Sequence, residues 1–168
     1  MNKIGVFYGS TTGTTEDLAR RIAEKLDVPS AHIYDVSKLT EALVGEYDVL
    51  VLGSSTWGAG ELQDDWYDGI KVLKKCDLSH KYVALFGCGD SDSYSDTFCD
   101  AIGIIYEDLK DTHCKFCGAV DTAGYTFDSS IAVVDGKFVG LPIDEVNEDN
   151  QTEERISAWA EQVKREIS

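Results

Sequence analysis

Three stretches of this chain are almost unbroken apolar runs: Ile4-Gly5-Val6-Phe7-Tyr8, Tyr47-Asp48-Val49-Leu50-Val51-Leu52-Gly53 and Tyr82-Val83-Ala84-Leu85-Phe86-Gly87. A strand that reads this way is covered on both faces, because a half-exposed strand alternates apolar and polar residues. Covering both faces of a sheet takes helices, and the intervening segments supply them. Leu18, Ile22 and Leu26 recur every four residues beside Ala19 and Ala23, the stripe of an amphipathic helix. A short strand near His32-Ile33-Tyr34 precedes a weak helix around Thr40 to Val44. Asp64 to Cys76 sets Trp66, Ile70 and Leu73 on one helical face, and Phe98 to Leu109 turns Ile102, Ile105 and Leu109 inward. A fifth strand starts near Lys115, and a last helix over Thr152 to Ile167 buries Ile156, Trp159, Ala160, Val163 and Ile167. This alternation predicts an α/β fold, a doubly wound five-stranded parallel sheet, in one domain over residues 1–168. Asp135-Gly136 between Val133-Val134 and Lys137-Phe138-Val139 marks a tight hairpin, so residues 121–140 read as an insertion within or beside edge strand five.

Charge narrows the functions open to such a fold. With 15 basic and 31 acidic side chains the formal charge is −16, which excludes a nucleic-acid partner and disfavours an anionic membrane surface. No apolar run approaches the ~20 residues a membrane helix needs. The N-terminal run lacks a signal-peptide layout, so a cytoplasmic location is expected. The five cysteines are an odd number, and a disulfide framework is not expected. Cys114-x-x-Cys117 has redox or metal spacing, but in a strand residues three apart face opposite ways, and no second Cys pair completes a zinc site. His32, His80 and His113 are scattered and read as structural or solvent-facing, so no metal is expected.

Ligands of doubly wound sheets sit beyond the carboxyl ends of the strands, where strand order reverses. The loop after strand one, Gly9-Ser10-Thr11-Thr12-Gly13-Thr14-Thr15, combines glycines, hydroxyls and a helix N-terminus, the parts of a phosphate site. It has neither the lysine of a nucleoside-triphosphate loop nor the third glycine of a dinucleotide fingerprint. A single phosphate monoester held by neutral donors is what fits. The loop after strand three carries Thr56-Trp57-Gly58, and the loop after strand four carries Cys88-Gly89-Asp90 and Tyr94. Two aromatic residues flanking one phosphate loop suggest a planar heterocycle held between Trp57 and Tyr94, and FMN has that shape.

With those residues in view, the chain resembles the long-chain flavodoxins over essentially its whole length. Val6 to Thr15 with Ala19 and Ile22 follows the phosphate-loop signature of that family. Thr56-Trp57 and Gly60-Glu61-Leu62-Gln63 are similar to its second loop, and Gly89-Asp90 with Tyr94 to its third. Thr122-Ala123-Gly124-Tyr125 and Phe138-Val139-Gly140-Leu141 resemble the insertion of the long-chain group. The resemblance implies strand order 2-1-3-4-5, FMN as cofactor, and low-potential one-electron transfer between redox proteins. It implies that Ser10, Thr11, Thr12, Gly13, Thr14 and Thr15 form the phosphate loop, and that Thr56 of the second loop also binds the cofactor. Trp57 would cover the inner ring face and Tyr94 the outer. Backbone around Gly58, Cys88, Gly89 and Asp90 would meet the polar edge of the ring.

A one-electron carrier must make its second reduction step difficult. Asp90, Asp92, Asp96, Asp100, Glu107, Asp108 and Asp111 crowd residues 87–112 against Lys110 alone. A unit charge ~10 Å away contributes ~1.7 kcal/mol at an effective dielectric of ~20, so two or three shift a couple appreciably. The same acids suit redox partners with basic docking surfaces, such as flavin-containing NAD(P)H reductases and low-potential oxidoreductases, and a monomer is expected. An FMN-dependent reductase of the same fold is the alternative, and it needs an open ring face. A response-regulator receiver needs an Asp ending strand three, where this chain has Gly53-Ser54-Ser55. An interaction module without flavin is the third rival.

Overall fold

The computed structural model describes residues 3–57 and 60–168, and among these the side chain of Trp57 is left out. Strand β1 (Ile4–Gly9) leads into helix α1 (Thr14–Lys25), then β2 (Ile33–Asp35), the short α2 (Glu41–Gly45) and β3 (Val49–Trp57). A two-residue strand β4 (Glu61–Leu62) precedes α3 (Asp65–Lys74), β5 (Tyr82–Cys88) and α4 (Asp100–Leu109). Next come β6 (Lys115–Cys117), β7 (Val120–Asp121), β8 (Val133–Val134), β9 (Lys137–Phe138), β10 (Leu141–Ile143) and α5 (Thr152–Ile167).

The unbroken apolar runs divide between two cores. Phe7, Leu50, Leu52, Val83 and Leu85 face one way, onto Val44, Trp66, Leu73, Ile102, Ile105 and Leu109 of α2, α3 and α4. Their neighbours Val6, Tyr8, Val49, Val51, Ala84 and Phe86 face the other way, onto Leu18, Ile22, Ile156, Trp159 and Val163 of α1 and α5. Both faces are dry, which is why these strands lack the alternation of a one-sided sheet. Cys114 joins the first core and Cys117 the second, so the pair straddles the sheet, and all five cysteines are free thiols.

The parallel sheet runs β2-β1-β3-β5, and the fifth position is divided between two short strands. β6 pairs with Tyr82–Ala84 at the start of β5, and β10 pairs with Phe86–Cys88 at its end. This is order 2-1-3-4-5 with the last strand interrupted by the insertion. Within the interruption β7, β9 and β8 form a separate antiparallel sheet. Its β8–β9 hairpin turns on Asp135 (φ 54°) and Gly136 (φ 81°), the two left-handed residues of a two-residue turn.

Two boundaries differ from the sequence reading. β3 continues past Gly53 to Trp57 because β4 folds back antiparallel, pairing Thr56 with Leu62 and Trp57 with Glu61. The helix expected from Phe98 starts at Asp100, since Cys99 is left-handed (φ 53°) and cannot lie within it.

Trp66 fixes α3 beneath the end of β3: it is fully buried, and its indole N–H donates to the Gly53 carbonyl at 2.7 Å. Trp66→Phe keeps most of the apolar contact and removes the indole hydrogen bond to that carbonyl. We expect a loss of about 1–3 kcal/mol in denaturant unfolding of the apoprotein, with the helical content of the folded state unchanged.

Candidate functional site

Register brings the loops together. Gly9 pairs with Ser54, Ser54 with Gly87 and Ser55 with Cys88, so the parallel pairing of β1, β3 and β5 ends level at the carboxyl edge. β10 ends there too, with Ile143 beside Cys88, and delivers the turn that follows it. Strand order reverses between β1 and β3, which opens the crevice that ligands of such sheets occupy. A cleft of about 400 Å³ lies at this edge, lined by Thr12, Thr14, Ser55, Thr56, Cys88, Gly89, Asp90, Tyr94, Thr97, Glu145 and Val146. Its size falls within the range of small-molecule sites, about 300–1,000 Å³. A larger cavity, of about 930 Å³, lies at the opposite pole beneath Lys3, Val28 and Ile167, away from all three loops.

The first loop presents the N-terminus of α1. Gly13 caps the helix in a left-handed conformation (φ 95°) with no side-chain cap, and the first helical bond runs from Asp17 N–H to the Gly13 carbonyl at 3.0 Å. The N–H groups of the first turn therefore point into the loop, an anion-binding arrangement. Its hydroxyls divide by role. Thr12 and Thr14 line the cleft. The Ser10 hydroxyl accepts from Gly13 N–H at 3.0 Å, and the Thr11 hydroxyl accepts from Gln63 Nε2 at 3.3 Å. Thr15 is fully buried, with its hydroxyl 3.2 Å from Cys88 Sγ.

On the second loop the Thr56 hydroxyl accepts from Ala101 N–H at 3.2 Å, at the start of α4. The expectations for the Trp57 ring and for Gly58 fall outside the described residues. On the third loop Gly89 N–H donates to the Ile143 carbonyl at 3.0 Å, and half-exposed Tyr94 stands at the cleft with its N–H on the Asp90 carbonyl at 2.9 Å. Burial pushes the Cys88 thiol up to about 11, with the Thr15 hydrogen bond opposing, so it stays protonated and neutral at physiological pH.

The turn after β10 escaped the sequence reading. Asp144 is fully buried, and its carboxylate accepts from Ser91 N–H (3.1 Å), the Ser91 hydroxyl, Val146 N–H (3.1 Å) and Asn147 N–H (2.9 Å). Asn147 Nδ2 also donates to Asp90 Oδ1 at 2.8 Å, and that oxygen receives Asp92 N–H and Ser93 N–H. One buried carboxylate thus ties the third loop to the strand beside it. Glu145, next along, meets Arg21 at 2.9 Å and the Thr152 hydroxyl at 3.1 Å. Among the described residues that line the cleft there is no lysine or arginine. Asp92 and Asp96 are exposed, whereas Asp100, grouped with them by sequence, is only 6% exposed. Among the described residues no group of His, Cys, Asp and Glu could hold a metal ion, and no helix is long and apolar enough to cross a membrane.

Burial works against ionising Asp144, but the hydrogen bonds from Ser91 and Asn147 outweigh it and hold its carboxyl below the usual range. A depressed native pKa contributes stability above the unfolded value, ~3.9, and loses it as pH falls through the native value. The stability gap between the wild type and Asp144→Asn should therefore hold steady from pH 7 to about 5 and close below about pH 4. Urea unfolding across that range measures it.

The flavodoxin family model matches residues 6–159. The chain is 43% identical over 164 residues to the flavodoxin of Buchnera aphidicola subsp. Acyrthosiphon pisum (strain APS), covering 97% of this chain and 96% of that one. It is 42% identical to flavodoxin 1 of Azotobacter vinelandii (strain DJ / ATCC BAA-1303), covering 95% of this chain and 94% of the other. In structure it is similar to Fusobacterium nucleatum flavodoxin bound to flavin mononucleotide, with a TM-score of 0.89, 29% identity and 99% of each chain covered. With the family model spanning residues 6–159 and relatives 42–43% identical over nearly the whole chain, the chain belongs to the flavodoxin family.

Proposed function

We propose that the cleft at the carboxyl edge binds FMN non-covalently and that the protein carries single electrons between redox proteins. The observation that carries this reading is the cleft itself. It joins an uncapped helix N-terminus and free-standing hydroxyls at one end to Tyr94 at the other, at the point where strand order reverses. The donor set fits the cofactor: neutral hydroxyls and backbone N–H groups suit one phosphate, and the aromatic rim suits a planar ring. When bound, FMN supplies reversible one-electron chemistry at low potential.

The residues of this chain divide the remaining work. Thr12, Thr14 and the first-turn N–H groups hold the phosphate, while Ser10, Thr11, Gly13 and Thr15 give the loop its shape. Thr56, Trp57, Gly58, Cys88, Gly89, Asp90 and Tyr94 surround the ring. With no cation lining the cleft, the carboxylates of Asp90 and Asp144 oppose any further negative charge placed there, which makes the second electron harder to add. Exposed Asp92 and Asp96 favour partners with basic docking faces, among them flavin-containing NAD(P)H reductases and low-potential oxidoreductases. The protein works as a monomer in the cytoplasm on this reading, in keeping with its free thiols. An FMN-dependent reductase of the same fold gains no support from the flavodoxin relatives.

A comparison of FMN with riboflavin tests the phosphate assignment. In fluorescence titrations of the apoprotein, Thr12→Ala/Thr14→Ala should weaken FMN about tenfold or more and leave riboflavin within about twofold. Equal losses for both ligands would contradict the assignment.

A further inference from the structure

Asp100 belongs by sequence to an acidic stretch, yet it is buried at the first turn of α4 and faces two segments far apart in the chain. Its Oδ1 accepts the N–H of Ile131, in the insertion, at 2.9 Å. Its Oδ2 lies against Gly60, where a Cβ would come within 2.6 Å of it and where φ is +92°. Only glycine meets both conditions, since a side chain would be strained by the backbone and would strike the carboxylate. The next residue of the helix, Ala101, gives its N–H to the Thr56 hydroxyl at 3.2 Å. A single turn of α4 therefore touches both ends of the second loop, Thr56 through Ala101 and Gly60 through Asp100.

The insertion is fastened along the same helix. Asp128 and Ser129 give their N–H groups to the Ser95 carbonyl at 2.9 and 3.0 Å, and the Ser130 hydroxyl donates to the Phe98 carbonyl at 2.5 Å. At Gly103 the backbone of Ile131 lies within 2.7 Å of where a Cβ would stand, so the strap lies directly on the helix. Burial pushes the Asp100 carboxyl up, with the hydrogen bond from Ile131 N–H opposing. A carboxylate at a helix N-terminus is also favoured by the helix dipole.

We propose that Asp100 is a positioning residue for the second loop, and that the insertion holds the carboxylate in place through Ile131 N–H, on a strap that Ser130 ties to the Phe98 carbonyl. The insertion then bears, through α4, on the two ends of a cofactor loop, Thr56 and Gly60. This rests on the FMN reading above.

The test uses the full chain with Asp100→Ala, Asp100→Asn and Ser130→Ala. FMN affinity and both one-electron midpoint potentials are measured, together with hydrogen exchange of amides 56 and 60–62 in the apoprotein. Asp100→Ala should weaken FMN about tenfold, shift the first midpoint and speed exchange in the loop. Asp100→Asn, which keeps the acceptor for Ile131 and the bulk against Gly60, should restore all three. Ser130→Ala should move each readout in the direction of Asp100→Ala, by less. A fall in unfolding midpoint alone, with affinity, potentials and exchange unchanged, would overturn the proposal. So would Asp100→Asn reproducing the full Asp100→Ala effect, since charge and not position would then be the cause. If the wild type takes up no FMN, the cofactor reading fails, and exchange in the apoprotein still decides whether Asp100 holds the loop.

Discussion

The register that pairs Gly9 with Ser54, Ser54 with Gly87 and Ile143 with Cys88 sets where every part of the site can be. Those pairs end the parallel pairing of four strands at one level, so the chain leaves the parallel sheet four times along a single edge. Register of this kind is enforced by burial on both faces, because a slip of one residue would exchange the two cores. Leu50 and Leu52 would turn toward α1 and α5, and Val49 and Val51 toward α3 and α4. The packing of Trp66, Ile102 and Trp159 therefore reaches the cleft through the strands.

At that edge lies the cleft proposed for a phosphate and a flat ring, with no lysine or arginine among the described residues that line it. The start of α1 has no side-chain cap, and Thr12 and Thr14 line the cleft beside it. Carboxylates stand nearby, Asp144 fully buried and Asp90 linked to it through Asn147. In a low-dielectric surrounding such charges oppose further negative charge more strongly than surface acids do. The buried carboxylate also serves as the knot of the third loop, so one residue fixes both the shape of the site and its field.

Much of this could be read from residue order. The unbroken runs gave away a two-faced sheet, and Asp135-Gly136 its hairpin. Other features depend on contacts that no local pattern encodes. The continuation of β3 to Trp57 exists because Glu61–Leu62 pairs back onto it. Splitting of the fifth strand between Lys115–Cys117 and Leu141–Ile143 requires two short segments to share one neighbour. Asp100 looks like any surface acid until Ile131 and Gly60 are brought against it. Asp144 lies in a turn whose sequence, Asp144-Glu145-Val146-Asn147, offered only a polar stretch.

The central claim is that this cleft separates two one-electron steps of bound FMN. An anaerobic reductive titration of the FMN-loaded protein, followed by visible absorption, tests it most directly. The account predicts that a long-wavelength band of one-electron-reduced flavin grows to near-stoichiometric amount before bleaching begins, with the second midpoint far below that of free FMN. Direct bleaching from yellow to colourless, with both electrons entering together, would contradict it.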